Sequence, residues 1–130
     1  MSGKLFTSTT DGIKVQVRPY YAEKDSNSAQ QRHVFVYQVH ITNVTDEPVT
    51  LLRRHWTIHE EGGRNYEVHG EGVVGEQPRI EPGETHHYHS YVVLQSFSGS
   101  MEGYYEMQRL DGSISKYRIP RFLLVSNLLN

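Results

Sequence analysis

There is no cysteine among the 130 residues. This removes disulfides, thiolate nucleophiles and cysteine-held zinc from the available chemistry. No apolar run is long enough for a membrane-spanning helix. The opening residues, Met1 to Phe6, lack the apolar core of a secretory leader, so a cytoplasmic location and no membrane partner are expected. Neither sign of charge dominates: 13 Lys and Arg against 15 Asp and Glu leave a formal charge of -2. No strong field draws nucleic acid to such a surface. A sustained helical period is missing as well.

What the chain does have is alternation. Ile13, Val15 and Val17 share one face of a strand from Gly12 to Ala22, and Pro19 marks its far end as an edge or a bulge. After a polar loop from Glu23 to Gln31, a strand from His33 to Thr45 carries Phe35, Tyr37, Val39 and Ile41 on one side. A hairpin returns it as Val49 to Glu60, with Leu52, Trp56 and Ile58 opposite Arg53, His55, Thr57 and His59. Asn65 to His69 follows a Gly62-Gly63 turn, and Glu84 to Leu94 follows a type II turn at Pro82-Gly83. Ser96 to Gly99 reads as a loop. Tyr104 to Leu110 and Ser113 to Ile119 flank a two-residue turn at Asp111-Gly112. Arg121 to Val125 reads as a last short strand and Leu128-Leu129-Asn130 as a frayed tail. Seven or eight short strands in one domain, residues 1–130 with a core from about 10 to 125, predict two antiparallel sheets packed face to face. A small closed barrel is the alternative.

One segment stands out. Gly70-Glu71-Gly72-Val73-Val74-Gly75-Glu76-Gln77-Pro78 fits G-x-G-x-x-G, which in nucleotide folds opens a helix whose N-terminus faces a pyrophosphate. Pro78, Pro82 and Gly83 leave no room for that helix. The motif also holds Glu71 and Glu76 but no Lys or Arg. It therefore reads as a shaped loop between strands.

Arg54-His55-Trp56, the glycine segment, Pro82-Gly83-Glu84, Ser100-Met101-x-Gly103-x-Tyr105-x-Met107 and Ile119-Pro120-x-Phe122 occur in an order and spacing that resemble the bacterial ApaG family, from about Thr10 to Val125. The same domain is a module of some eukaryotic proteins, F-box proteins among them. The resemblance implies an immunoglobulin- or fibronectin-III-like sandwich and an association with cobalt and magnesium tolerance, but no particular reaction.

Candidate sites follow from composition. The loop residues Gly70, Gly72, Val73, Val74, Gly75, Glu76, Gln77 and Pro78 form the first, with Val73 and Val74 as exposed apolar contacts and Tyr66, Arg79 and Tyr104 beside them. Its expected partner is another protein. His87 and His89, two residues apart on one strand face, form a candidate metal pair, with His55, His59 and Glu84 as further ligands. Tyr37, Tyr88 and Tyr105 are expected in or near the core; Tyr20, Tyr21, Tyr66, Tyr91, Tyr104 and Tyr117 are expected to be exposed. No spacing of serine, histidine and acid singles out a catalytic triad, so a non-enzymatic module without a cofactor is expected. A sensor of a divalent cation or a phosphorylated nucleotide is the alternative. Free sheet edges would also allow a homodimer.

Overall fold

Among the described residues the alternating segments become nine strands: β1 (Phe6–Thr10), β2 (Ile13–Tyr21), β3 (His33–Asn43), β4 (Val49–Glu60), β5 (Asn65–Glu71), β6 (Arg79–Ile80), β7 (Thr85–Leu94), β8 (Ser98–Arg109) and β9 (Ile114–Val125). The computed structural model describes residues 4–126, so the expected tail at 128–130 lies outside the described residues. One antiparallel sheet runs β1-β2-β3-β7; the other runs β5-β4-β8-β9, with β6 paired to β4 as well. The apolar faces of the two sheets meet around Tyr37, Trp56 and Phe122, whose ring centroids lie 5.4 to 5.8 Å apart.

The differences from the sequence reading have local causes. β1 is rich in Ser and Thr and offers only Phe6 to a hydrophobic pattern, and β6 is two residues long. Arg121–Val125 is the far half of β9: one extra residue bulges where Met101 pairs with Phe122 and Gly103 with Ile119, and Pro120 sits at that bulge. A second bulge, at Leu52 in β4, flips the phase of the strand. Leu51 is therefore the core residue before it, and Arg54, Trp56 and Ile58 point inward after it. The segment from Ser98 belongs to β8, not to a loop. Tyr117 follows the inward phase of β9 and is 1% exposed, contrary to expectation. The β8–β9 turn has three residues rather than two: Arg109 and Ser113 close it, and Gly112 at φ 87° takes the left-handed position. Pro19 lies beyond the last β1 partner, Val17, where β2 has only β3 beside it.

The two sides of the sandwich differ. On one, β1 meets β9: the Ser8 hydroxyl donates to Arg118 O, and the Arg118 N–H to Thr10 Oγ1. On the other, the loop after β5 lies across the gap from β7.

Candidate functional site

Residues 72–78 leave the β4 edge between β5 and β6, opposite the Leu52 bulge. The extra residue turns Leu52 O outward, where it accepts from Gly72 N–H at 2.8 Å and Gln77 Nε2 at 3.0 Å, while Leu51 N–H donates to Pro78 O. Val73 and Glu76 exchange main-chain bonds of 2.8 and 3.0 Å around a two-residue turn, Val74 at φ 48° and Gly75 at φ 78°. No helix starts at Glu76. The amides of Gly72, Val73 and Glu76 are all spent on carbonyls of the protein itself.

Each motif glycine has its own steric reason. A Cβ on Gly70 would stand 3.1 Å from both terminal nitrogens of Arg54, so its absence lets the guanidinium lie across β5. A Cβ on Gly72 would stand 2.2 Å from Glu76 O. Gly75 has open space but a left-handed φ.

The loop covers the open side of the sandwich with Val73, which is 1% exposed and part of the core; its expected exposure is corrected. Val74 is 62% exposed at the tip. A β-branched residue with positive φ is strained, by about 1–2 kcal/mol.

Between this tip and β7 opens a crevice of about 470 Å³ walled by Tyr37, Arg54, Trp56, Tyr88, Ser90 and Tyr91. Arg54 is the only Lys or Arg in its lining. Through Nη1 it donates to Glu71 O at 3.1 Å and Gly72 O at 2.8 Å. Among the described residues it forms no ion pair. The Tyr88 and Tyr105 hydroxyls lie 2.5 Å apart in one hydrogen bond. Burial pushes both phenols well up, and Tyr37 rises for the same reason, partly offset by its bond to Ser90 and by Arg54. At neutral pH the crevice is therefore a surface of hydroxyl donors around one guanidinium.

Other expected residues are dispersed. Tyr66 is half-buried under the Arg64 guanidinium, 4.9 Å from its ring centre. Burial, then the Glu60 carboxylate, push its phenol up. Arg79 is paired with Glu81 at 2.6 Å. Tyr104 lies on the outer face of the other sheet, stacked 4.8 Å from His55 and capped by Lys116. It borders a smaller crevice of about 350 Å³ with Arg53, Arg54, His69 and Glu106. His87 and His89 share the outer face of β7, where His87 stacks 5.7 Å from His40 of β3. His55 and His59 belong to β4 in the opposite sheet and do not join them. No three His, Cys, Asp or Glu among the described residues gather as a metal-holding group.

Sequence reasoning missed Arg54, Ser90 and Tyr91 as parts of one crevice. Alternation already puts Arg54 on the face of Trp56 and Ile58, but nothing in the sequence says that this face opens into a crevice at Arg54.

Comparison with known proteins agrees with this architecture. The ApaG domain family matches residues 23–109. Protein ApaG of Agrobacterium fabrum is 42% identical over 122 residues, 94% of each chain. Protein ApaG of an Enterobacter species is 46% identical over 112 residues, 86% of this chain and 90% of that one. A crystal structure of an ApaA protein from Bordetella pertussis superposes with a TM-score of 0.85 at 38% identity, covering 93% of this chain and 95% of that one.

Proposed function

The chain belongs to the ApaG family, and from that premise we propose that it is a non-enzymatic recognition module whose partner is another protein. The contact is the Val74 tip of the glycine loop together with the β7 edge and the crevice between them. The observation that carries this reading is Val74 itself: an apolar, β-branched side chain held exposed in a left-handed conformation that Asn or Gly would adopt more easily. A turn needed only for the fold has no use for that strain. The β7 edge beside it is ten residues long, carries neither Lys nor Pro nor a bulge, and is parted from the loop by the crevice at Tyr88 to Tyr91. Burial keeps the Tyr37 and Tyr88 hydroxyls protonated, so they donate rather than attack.

The test is a library of displayed linear peptides panned on the immobilised protein, with recovered peptides titrated calorimetrically against wild type and Val74→Asp. Loss of about tenfold or more in affinity is expected, since an apolar contact becomes a charge. Equal affinities, or an empty selection, would overturn the reading.

A second reading, a divalent-cation sensor, draws on the facing imidazoles of His40 and His87. Two imidazoles are fewer than a stable site uses. Cobalt titration of wild type and of a His87→Ala/His89→Ala variant decides it: saturable heat lost in the variant supports it, and no heat in either removes it.

A further inference from the structure

We infer that the segment captured here is extended and acidic: it adds as a strand to the free edge of β7 and delivers a side-chain carboxylate to Arg54. The inference rests on the recognition-module reading and specifies its ligand.

The register of β7 supplies the first half. Asn43 N–H donates to Glu84 O at 3.0 Å, and Ala22 N–H to Val34 O at 2.8 Å, so β3 turns its odd-numbered main chain toward β7 and its even-numbered main chain toward β2. Antiparallel alternation then spends the main-chain groups of His86, Tyr88, Ser90 and Val92 on β3. Those of His87, His89, Tyr91 and Val93 face the open edge. Among the described residues β7 pairs with no second strand. Strand addition satisfies such a row of groups and lets alternate side chains of the added segment fall into pockets along it.

Arg54 supplies the second half. Only its Nη1 is engaged, on two carbonyls, leaving Nε and Nη2 as donors. Neither is buried without a partner, and Arg54 lines the crevice. A guanidinium with free parallel donors matches a carboxylate in two-point geometry. Ser90 and the protonated tyrosines add donors but no second positive charge. Glu71, at the rim, is exposed and forms no ion pair with Arg54. One cation among hydroxyls suits one carboxylate better than a polyphosphate. The crevice meets β7 at Tyr88 to Tyr91, the middle of the strand, so the edge continues on both sides. The group it receives is therefore a side chain within the segment rather than a chain end.

The experiment uses the whole protein and the peptides recovered from the library. They are expected to share an acidic residue flanked by strand-forming residues. Changing that Glu to Gln should weaken binding about tenfold to a hundredfold on wild type and less than threefold on Arg54→Gln, because the loss belongs to the pair. Arg54→Lys, which keeps charge but loses the planar fork, should fall between. Should Arg54→Gln disturb the loop, the peptide-side change on wild type still reports alone. Amide exchange at His87, His89 and Tyr91 should slow in the complex. Peptides without an acidic preference, equal Glu-to-Gln losses on both proteins, or unchanged exchange along β7 would overturn this inference. Sensitivity to Val74→Asp would in that case leave the broader reading standing. Inorganic phosphate or ATP binding wild type more tightly than every acidic peptide would overturn it too.

Discussion

At the scale of the residue, two adjacent valines show how little a side chain's identity says about its job. Val73 fills the open side of the core, and Val74, one peptide further on, is exposed and strained. Their replacements should separate. Val74→Asn is expected to raise the free energy of unfolding by about 1 kcal/mol, because Asn tolerates left-handed backbone better. Val73→Asp should cost about 3 kcal/mol or more, because it buries an unpaired carboxylate. Denaturant titration of both reads this directly. A stability gain with loss of peptide binding in Val74→Asn is the signature of strain kept for contact. Histidine 86 is a second case. Burial lowers its pKa; Glu76 pulls it back up and His87 pushes it further down, and its Nε2 lies buried without a partner. A folded pKa below the unfolded value of 6.5 means that the unfolded chain takes up the proton first. Stability contributed by the neutral ring is complete above 6.5 and is lost as pH falls through the folded pKa. Melting temperatures of His86→Gln should accordingly fall less steeply than wild type between about pH 6.5 and pH 5. Parallel curves would assign the acid sensitivity elsewhere.

At the scale of the element, strands were legible wherever the period of two ran unbroken. The alternation from Val49 to Glu60 coincides with β4, and Phe35, Tyr37, Val39 and Ile41 are the buried face of β3. The bulges were not legible, because a single inserted residue leaves composition intact and only reverses which side chains face inward. Alternation carried back from Trp56 and Ile58 therefore points to Leu52, whereas the bulge makes Leu51 the buried residue. The glycine motif was legible as shape: two prolines forbade the helix, and the turn at Val74-Gly75 takes its place. What sequence could not supply was the neighbour across the gap, since β7 meets the loop only through the sheet order. The edge of β7 offers a prediction of its own kind. His89→Pro deletes an N–H that faces the open side and should leave the fold cooperative while reducing peptide binding at least tenfold. Tyr88→Pro deletes one bonded to β3 and should unfold the protein or nearly so. Circular dichroism melting of the pair checks the register, and equal damage from both would contradict it.

At the scale of the whole molecule, order is built from pairings remote in sequence. β3 meets β7 with Phe35 against Val92, and the far side closes through Ser8 and Arg118, 110 positions apart. Only the hairpins β1–β2, β3–β2, β4–β5 and β8–β9 join strands that follow one another. The closure entropy of the long loops must be met before the contacts they enclose stabilise anything, which slows folding even when the final state is firm. Polar anchors reinforce the late contacts. The Glu60 carboxylate, whose side chain is 0% exposed, accepts from the main-chain N–H groups of Gln95 and Ser96 at 2.9 and 3.0 Å, tying β4 to the chain that leaves β7. Asn43 bridges Glu47 O and Ile80 O at 2.7 and 2.9 Å. The bonds of Glu60 to Gln95 and Ser96 and of Asn43 to Ile80 O join the two sheets and cannot form until both are in place. Refolding is therefore expected on a scale of milliseconds to seconds, not microseconds. The single tryptophan, Trp56, is 3% exposed between the sheets and reports the docking of one sheet on the other without labelling. Stopped-flow dilution from denaturant should show its fluorescence change in that window. Glu60→Ala should mainly speed unfolding, since its bonds form after the barrier. Complete recovery within a millisecond, or a Glu60→Ala variant that folds more slowly and unfolds at the wild-type rate, would mean that the sheets meet earlier than this topology implies.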